Sequence, residues 1–398
     1  MHREDFKLLD SNIIYFDNGA TTLKPTCVRD AIIKYYDEYT ANAHRGDYTI
    51  SNIVDSMYEE TREKTKNFIN AKETSEIVFT SGTTNSMNMI VFGFFKNYLK
   101  EGDEVLITLS EHASNIIPWF VLQKDIGIKV KYIALNNENK VTIENVKEAI
   151  SDRTKVISLA HITNVIGDER PIKEISQLAH NNNILLVVDA AQSIAHKEID
   201  VQDLDIDFMA FSGHKMYGPT GIGILYGKFE LLDQMLPLNY GGGMNALFTK
   251  DGYVELREIP TRLEGGTPNI EGVLGLNAAL SYLEEIGLDK INAYEKELKN
   301  YLIARLEKLD FIEIYNKNIE TNIVTFNIKG VFAQDTAIYL DKYHICVRAG
   351  NHCAKILSSV FNTSNTVRIS LSFYNSKEEI DLLINVLKNS ENIWKEIL

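Results

Sequence analysis

Between residues 50 and 255, short runs of aliphatic and β-branched residues alternate with longer helical patterns, and few architectures accept such a chain. The strand-like runs fall at 76–80, 104–108, 129–135, 155–160, 184–189, 208–211 and 221–226. Several are unbroken Val/Ile/Leu stretches, the composition of strands buried on both faces. Helices are expected between them, for example from about Thr84 and from about Asn115. Alternation at this spacing predicts an α/β domain around a mostly parallel sheet. After Gly266-Thr-Pro-Asn269 the pattern changes. A long helical region covers 270–309, with Leu298, Tyr301, Leu302 and Leu306 spaced as one stripe. Strand-like runs follow at 311–315, 322–328 and 367–372. The expected organisation is an N-terminal arm (1–25), a large α/β domain (26–265), and a smaller α+β C-terminal domain (266–398) carrying Cys353 and Arg368.

Charge and cysteine content remove whole classes of function. Lys and Arg total 41 against 55 Asp and Glu, a formal charge of −14. Such an acidic balance argues against a nucleic-acid binder, which needs a basic face to displace counterions. The three cysteines, Cys27, Cys346 and Cys353, are too few and too odd for a disulfide framework. The start is too charged for a secretory signal, and no apolar run approaches the roughly 18 residues that cross a bilayer. A cytoplasmic protein with no membrane partner is expected.

In a doubly wound sheet, ligands gather at the carboxyl ends of the strands. Four of these ends carry unusual chemistry. Thr80-Ser-Gly-Thr-Thr-Asn85 runs from a strand through small residues into a helix, where free N–H groups and the hydroxyls of Thr83 and Thr84 suit an anion such as phosphate. Val187-Val-Asp-Ala-Ala-Gln192 ends a strand on Asp189, a carboxylate that needs a donor or a cation. Ser212-Gly-His-Lys215 places a lysine between an apolar strand and a Gly/Pro-rich turn, where a depressed pKa makes an imine-forming nucleophile. Ser212 and His214 flank it with donors suited to phosphate. His112, after a fourth strand, can stack on a flat ring or move a proton. Taken singly, each has an ordinary explanation: an N-cap, a capping acid, an exposed turn lysine, a core histidine. Together, an anion cradle, an acid, a lysine and a histidine form the set that holds pyridoxal 5′-phosphate. No metal is expected.

The motifs resemble those of the class V aminotransferase superfamily, fold type I, and within it the group II, Suf-type cysteine desulfurases. The resemblance runs from Tyr15-Phe-Asp-Asn-Gly-Ala-Thr-Thr-Leu-Lys-Pro25 through His44-Arg-Gly46 and Glu111-His-Ala-Ser-Asn115. It continues through Ser212-Gly-His-Lys-Met-Tyr-Gly-Pro-Thr-Gly-Ile-Gly223 and Gly265-Gly-Thr-Pro-Asn269. It ends at Arg348-Ala-Gly-Asn-His-Cys-Ala354 and Arg368-Ile-Ser-Leu371.

The resemblance implies the roles. Lys215 bonds the cofactor, Asp189 pairs with its ring nitrogen, and Gln192 and Asn164 sit near its phenolic oxygen. His112 stacks on the ring. Thr83, Thr84, Ser212 and His214 bind phosphate, joined by Thr267 from the partner of a homodimer. Arg368, with Asn164 and Arg348, binds the carboxylate of L-cysteine. Cys353 accepts the sulfur as a persulfide, alanine leaves, and the sulfur passes to a Suf-type acceptor or scaffold protein for iron–sulfur cluster assembly or other products. Cys27 and Cys346 fall outside the motif. Two positions depart from the family pattern: Asn351 stands where a histidine is common, and so does Tyr48. The short stretch between Cys353 and Arg368 fits group II. A selenocysteine lyase, an ordinary class V aminotransferase and a binding partner without turnover are the competing readings.

Overall fold

The alternation is realised as a seven-stranded sheet in a computed structural model of the chain, which describes residues 2–43, 46–390 and 393. The strand order is Ile77–Thr80, Gly223–Gly227, Phe208–Ser212, Leu185–Asp189, Thr154–Ala160, Glu104–Thr108, Lys129–Ile133. Gly223–Gly227 runs antiparallel to both neighbours, and every other pairing is parallel. The inner strands are buried along nearly their whole length, as two-sided helix cover requires. The edge strand Lys129–Ile133 is largely exposed and carries Lys129 and Lys131, charges that discourage pairing with another chain.

The helical region expected at 270–309 is two helices, Ile270–Ile286 and Leu288–Leu306, broken at Gly287. The first packs on Thr26–Glu38 and Thr49–Phe68, and its Leu276, Leu280 and Leu283 join a core shared with the large sheet. The second turns Leu298, Leu302 and Leu306 into a different core. Periodicity shows that a helix has an apolar face, not which layer that face covers. By packing, residues 270–286 therefore side with the large layer, although the sequence reading groups them with the smaller one.

That second core lies on a four-stranded antiparallel sheet, ordered Ile312–Ile314, Ile323–Ile328, Thr366–Ser370, Arg348–Gly350. Arg348 and Arg368 face each other across its last pair. The strand Arg348–Gly350 has no counterpart in the sequence reading, because Arg-Ala-Gly shows no apolar alternation.

The N-terminal residues are sewn to both layers. Ile14–Tyr15 pairs in parallel with Ile345–Cys346, and Asp17 bridges to Ser370. Phe6 sits among Tyr217, Tyr282, Phe373 and Tyr374 at ring-centroid distances of 4.4 to 6.2 Å. Among the described residues no helix is long and apolar enough to cross a membrane.

Candidate active site

A cleft of about 740 Å³ opens where the carboxyl ends of the parallel strands face the smaller sheet. Lys215 closes a short helical turn, Gly213–Lys215, directly after the strand Phe208–Ser212. Asp189 is the last residue of the neighbouring strand. His112 follows the strand Glu104–Thr108 and caps the turn Ala113–Asn115, its Nδ1 accepting from the Ser114 N–H at 3.1 Å. All three line the cleft, together with Thr83, Thr84, Asn164, Gln192, Ser212, His214, Arg348 and Arg368.

The cradle has a steric explanation. Gly82 has φ = 142°, a conformation few side chains tolerate, and the turn it makes lies directly against Gly223. A Cβ on Gly223 would fall 2.4 Å from Gly82 Cα, so both positions need glycine for the strands to meet there. The turn delivers Thr83 to Ser212: Thr83 N–H donates to Ser212 Oγ at 2.8 Å, and the two hydroxyls lie 2.7 Å apart. Thr84 Oγ1 lies 2.7 Å from Ser114 Oγ.

Burial sets the electrostatics. Asp189 is 4% exposed, accepts the Ala191 N–H at 2.9 Å, and has no cation within ion-pair distance among the described residues. Burial pushes its carboxyl up to about 6, with Lys215 pulling the other way. Burial likewise brings Lys215 down to about 8, aided by Arg368 and Arg348 and opposed by Asp189. His112 and His214 are each pulled down to about 4, first by burial and then by Lys215. At neutral pH both rings are uncharged. With Nδ1 accepting, His112 carries its proton on Nε2.

Behind these groups lies a network that the motif Glu111-His-x-x-Asn115 only hints at. Arg170 and Glu111 are both fully buried and hydrogen-bonded to each other. Arg170 also donates to Thr108 Oγ1 and Ser110 Oγ, each at 2.9 Å. Glu111 accepts from Asn115 at 2.9 Å and from the Ala160 N–H at 2.8 Å. The residues on either side of His112 are thereby fastened to two strands. Removing one partner of such a buried pair costs about 3–5 kcal/mol.

The smaller layer supplies the other wall. Arg368, 2% exposed, donates to the Asn164 carbonyl at 2.9 Å and to Asp17 Oδ1 at 3.0 Å, and its Nε has no partner. Asn164 Nδ2 donates to the His352 carbonyl at 2.7 Å, leaving Asn164 Oδ1 buried and unpaired. Cys353 does not line the cleft; it is exposed, on a loop beside it. His352 and Cys353 both have left-handed backbones, φ = 52° and 58°. Such strain costs about 1–3 kcal/mol per residue and needs support. Asn351 Oδ1 accepts the Cys353 N–H at 3.2 Å, His352 Nε2 donates to the Thr366 carbonyl at 3.0 Å, and the Cys353 carbonyl accepts from Ala113 N–H at 2.8 Å. The unusual Asn351 is thus a brace for the loop. Tyr48, the other departure, is exposed.

Thr267 is not brought into this cleft. It lines a second pocket with Thr80, Ser81 and Asn85. His44 and Arg45 lie outside the described residues. Asp17, Ser114 and Arg170 are missed by sequence reasoning. Asp17 and Ser114 lie within quoted motifs, yet no spacing rule couples them to Arg368 or His112.

The residues fit an anionic cofactor with a cationic ring. The convergent Thr83 and Ser212 hydroxyls suit phosphate, Asp189 lacks a cation, and Asn164 Oδ1 and Arg368 Nε are unpartnered.

Comparison with known proteins shows the family. Residues 14–383 match the model of the family described as aminotransferase class-V. A probable cysteine desulfurase of Halalkalibacterium halodurans is 42% identical, the match covering 99% of this chain and 97% of that protein. A cysteine desulfurase of Wigglesworthia glossinidia brevipalpis is 39% identical over 97% of this chain and 95% of its own. The crystal structure of the cysteine desulfurase CsdA from Escherichia coli superposes with a TM-score of 0.93 at 34% identity, covering 98% of each chain.

Proposed function

We propose, from the premise that the chain belongs to the class V aminotransferase family and within it to the cysteine desulfurases, that Cys353 receives the sulfur which this pyridoxal-phosphate enzyme removes from L-cysteine. The observation that carries this reading is the bond from Ala113 N–H to the Cys353 carbonyl. It ties the thiol's loop to the residue beside His112 while leaving the thiol exposed.

Lys215 would bond the cofactor, Asp189 would pair with its ring nitrogen, and His112 would stack on the ring. Thr83, Thr84, Ser212 and His214 would hold its phosphate, and Gln192 and Asn164 would sit near its phenolic oxygen. When bound, the cofactor supplies an electron sink for charge developing at the substrate's α-carbon. The protein does the rest. Arg368, with Arg348 and Asn164, takes the substrate carboxylate; to do so it shares or gives up Asp17. The Lys215 amine, already held near neutrality by burial, takes the α-proton once free. A neutral His112 adds no positive charge beside it. The Cys353 thiolate attacks the substrate sulfur, the carbon–sulfur bond breaks, alanine leaves, and the sulfur stays as a persulfide.

Thr267 completes the phosphate site of a partner protomer in a homodimer, and the exposed thiol hands its sulfur to a Suf-type acceptor in the cytoplasm for iron–sulfur cluster assembly. Incubation with L-cysteine followed by peptide mass spectrometry tests the central step. A persulfide on Cys353 is expected; one confined to Cys27 or Cys346 overturns the assignment.

A further inference from the structure

Four donors converge on a single backbone carbonyl next to Lys215. The His214 oxygen accepts from Thr22 N–H at 3.0 Å, Thr21 Oγ1 at 3.1 Å, Thr22 Oγ1 at 3.2 Å and Lys24 Nζ at 3.0 Å. A carbonyl offers two lone pairs, so this acceptor is oversupplied. Its peptide bond is the one that joins His214 to Lys215. On the far side of the lysine, Tyr217 N–H donates to Thr22 Oγ1 at 2.8 Å. Residues 21–24 therefore grip the backbone both before and after Lys215. The Lys215 side chain has no hydrogen-bond partner among the described residues, and Asp189 is the opposite charge that acts on it most strongly.

Lys24 is costly to keep there. It is half-buried, no carboxylate among the described residues pairs with it, and burial pulls it down to about 8. Its three N–H bonds go to the His214 carbonyl, the Thr22 carbonyl and Thr21 Oγ1. An ammonium without a counter-ion in such a place is destabilising, whereas methionine would fill the space without that cost. What the charge does contribute is a charge-assisted hydrogen bond, the stronger kind, to the oxygen beside Lys215.

We propose that Lys24, acting with Thr21 and Thr22, is the positioning residue for Lys215: it fixes the His214–Lys215 peptide so that the ε-amino group keeps one aim into the cleft throughout turnover. This rests on Lys215 being the cofactor lysine. The same segment extends the grip, because the Gly19 carbonyl accepts from Gln192 Nε2 at 2.8 Å and Asp17 holds Arg368.

The test uses purified holoenzyme of the wild type, Lys24→Met, Lys24→Arg and the exposed control Lys34→Met. Borohydride reduction and peptide mapping locate the lysine bonded to the cofactor. The visible absorption is titrated with pH, and cofactor loss to a scavenger is timed. Lys24→Met is expected to move the absorption midpoint by about one unit and to release cofactor about tenfold faster. Lys24→Arg should restore most of both, and Lys34→Met should change neither. Wild-type titration and release in Lys24→Met overturn the proposal, even if its melting temperature falls. Reduced cofactor on another lysine of the wild type overturns the Lys215 reading instead. If Lys24→Met does not fold, Thr21→Val takes its place. Faster cofactor release is expected there too, and wild-type behaviour again overturns the proposal.

Discussion

The strand-end wall of the cleft and the Cys353 loop hold their key groups in opposite ways. Asp189, His112 and the Thr83–Ser212 pair are fixed by side-chain hydrogen bonds at or just beyond the ends of strands that are buried along nearly their whole length. Among the described residues Cys353 is held by its backbone, through Ala113 and Asn351, and its thiol is exposed and outside any disulfide. The contrast follows from what each must do. A cofactor site works when its atoms stay put, and low exposure strengthens every charge in it. A sulfur carrier must meet a substrate on one side and an acceptor on the other, so its thiol needs reach.

The sharpest way to break the contrast is to remove a fixed group. Lys215→Ala should lower alanine formation from L-cysteine by roughly a thousandfold or more, with loss of the visible absorption of the bound cofactor. Cys353→Ala should separate the two regions. Persulfide formation falls to background and alanine formation drops by about a hundredfold, while the cofactor spectrum stays as in the wild type. If Cys353→Ala also disturbs that spectrum, the loop is part of the rigid site and the contrast fails.

Two further outcomes read the electrostatic side. The Asp189 carboxyl is raised to about 6 in the folded chain, above its ordinary value. Its favourable protonated form is fully present at low pH and is lost as pH rises through about 6. In cofactor-free protein at pH 7, Asp189→Asn should therefore raise stability, by at most about 3 kcal/mol. Near pH 4 it should do little. Urea titration at both pH values checks this, and a loss of stability at pH 7 would refute a burial-dominated carboxylate. The histidines act with the opposite sign. His112, His214 and His352 are pulled down to about 4, 4 and 3, with burial the first cause in each. Their contribution is present above their ordinary value of about 6.5 and is lost as pH falls towards 4. Three such groups outweigh one Asp189, so the melting temperature of cofactor-free protein should fall between pH 7 and pH 5. The smallest effect belongs to the bystander thiols. Cys346→Ala and Cys27→Ala should leave alanine and persulfide yields within about twofold of the wild type, as substitutions away from the reacting groups do.

Much of the rigid wall was legible in the sequence, and much of the loop was not. Continuous apolar runs mark two-sided strands, so the ends that carry Asp189, Lys215 and His112 followed from periodicity together with one polar residue out of place. Motif resemblance added Arg368 and Cys353. The support around them stayed hidden. The bond from Lys24 to the His214 carbonyl joins positions 190 residues apart, and that between Asp17 and Arg368 spans 351. No local pattern encodes such pairs. The left-handed turn at His352 and Cys353 was equally opaque, since neither residue type announces that backbone. The placement of residues 270–286 went unread because an apolar stripe names no partner.

The pairing of Ile14–Tyr15 with Ile345–Cys346, and of Asp17 with Ser370, bears on when this protein becomes competent. During synthesis, residues 14–24 leave the ribosome long before 345–370 exist. Until then Asp17 has no Arg368 to hold and the smaller sheet lacks one of its two inner strands. The large layer can form early from contacts along its own stretch of chain, but the second wall waits on closure of a loop of more than three hundred residues, a slow, non-local step.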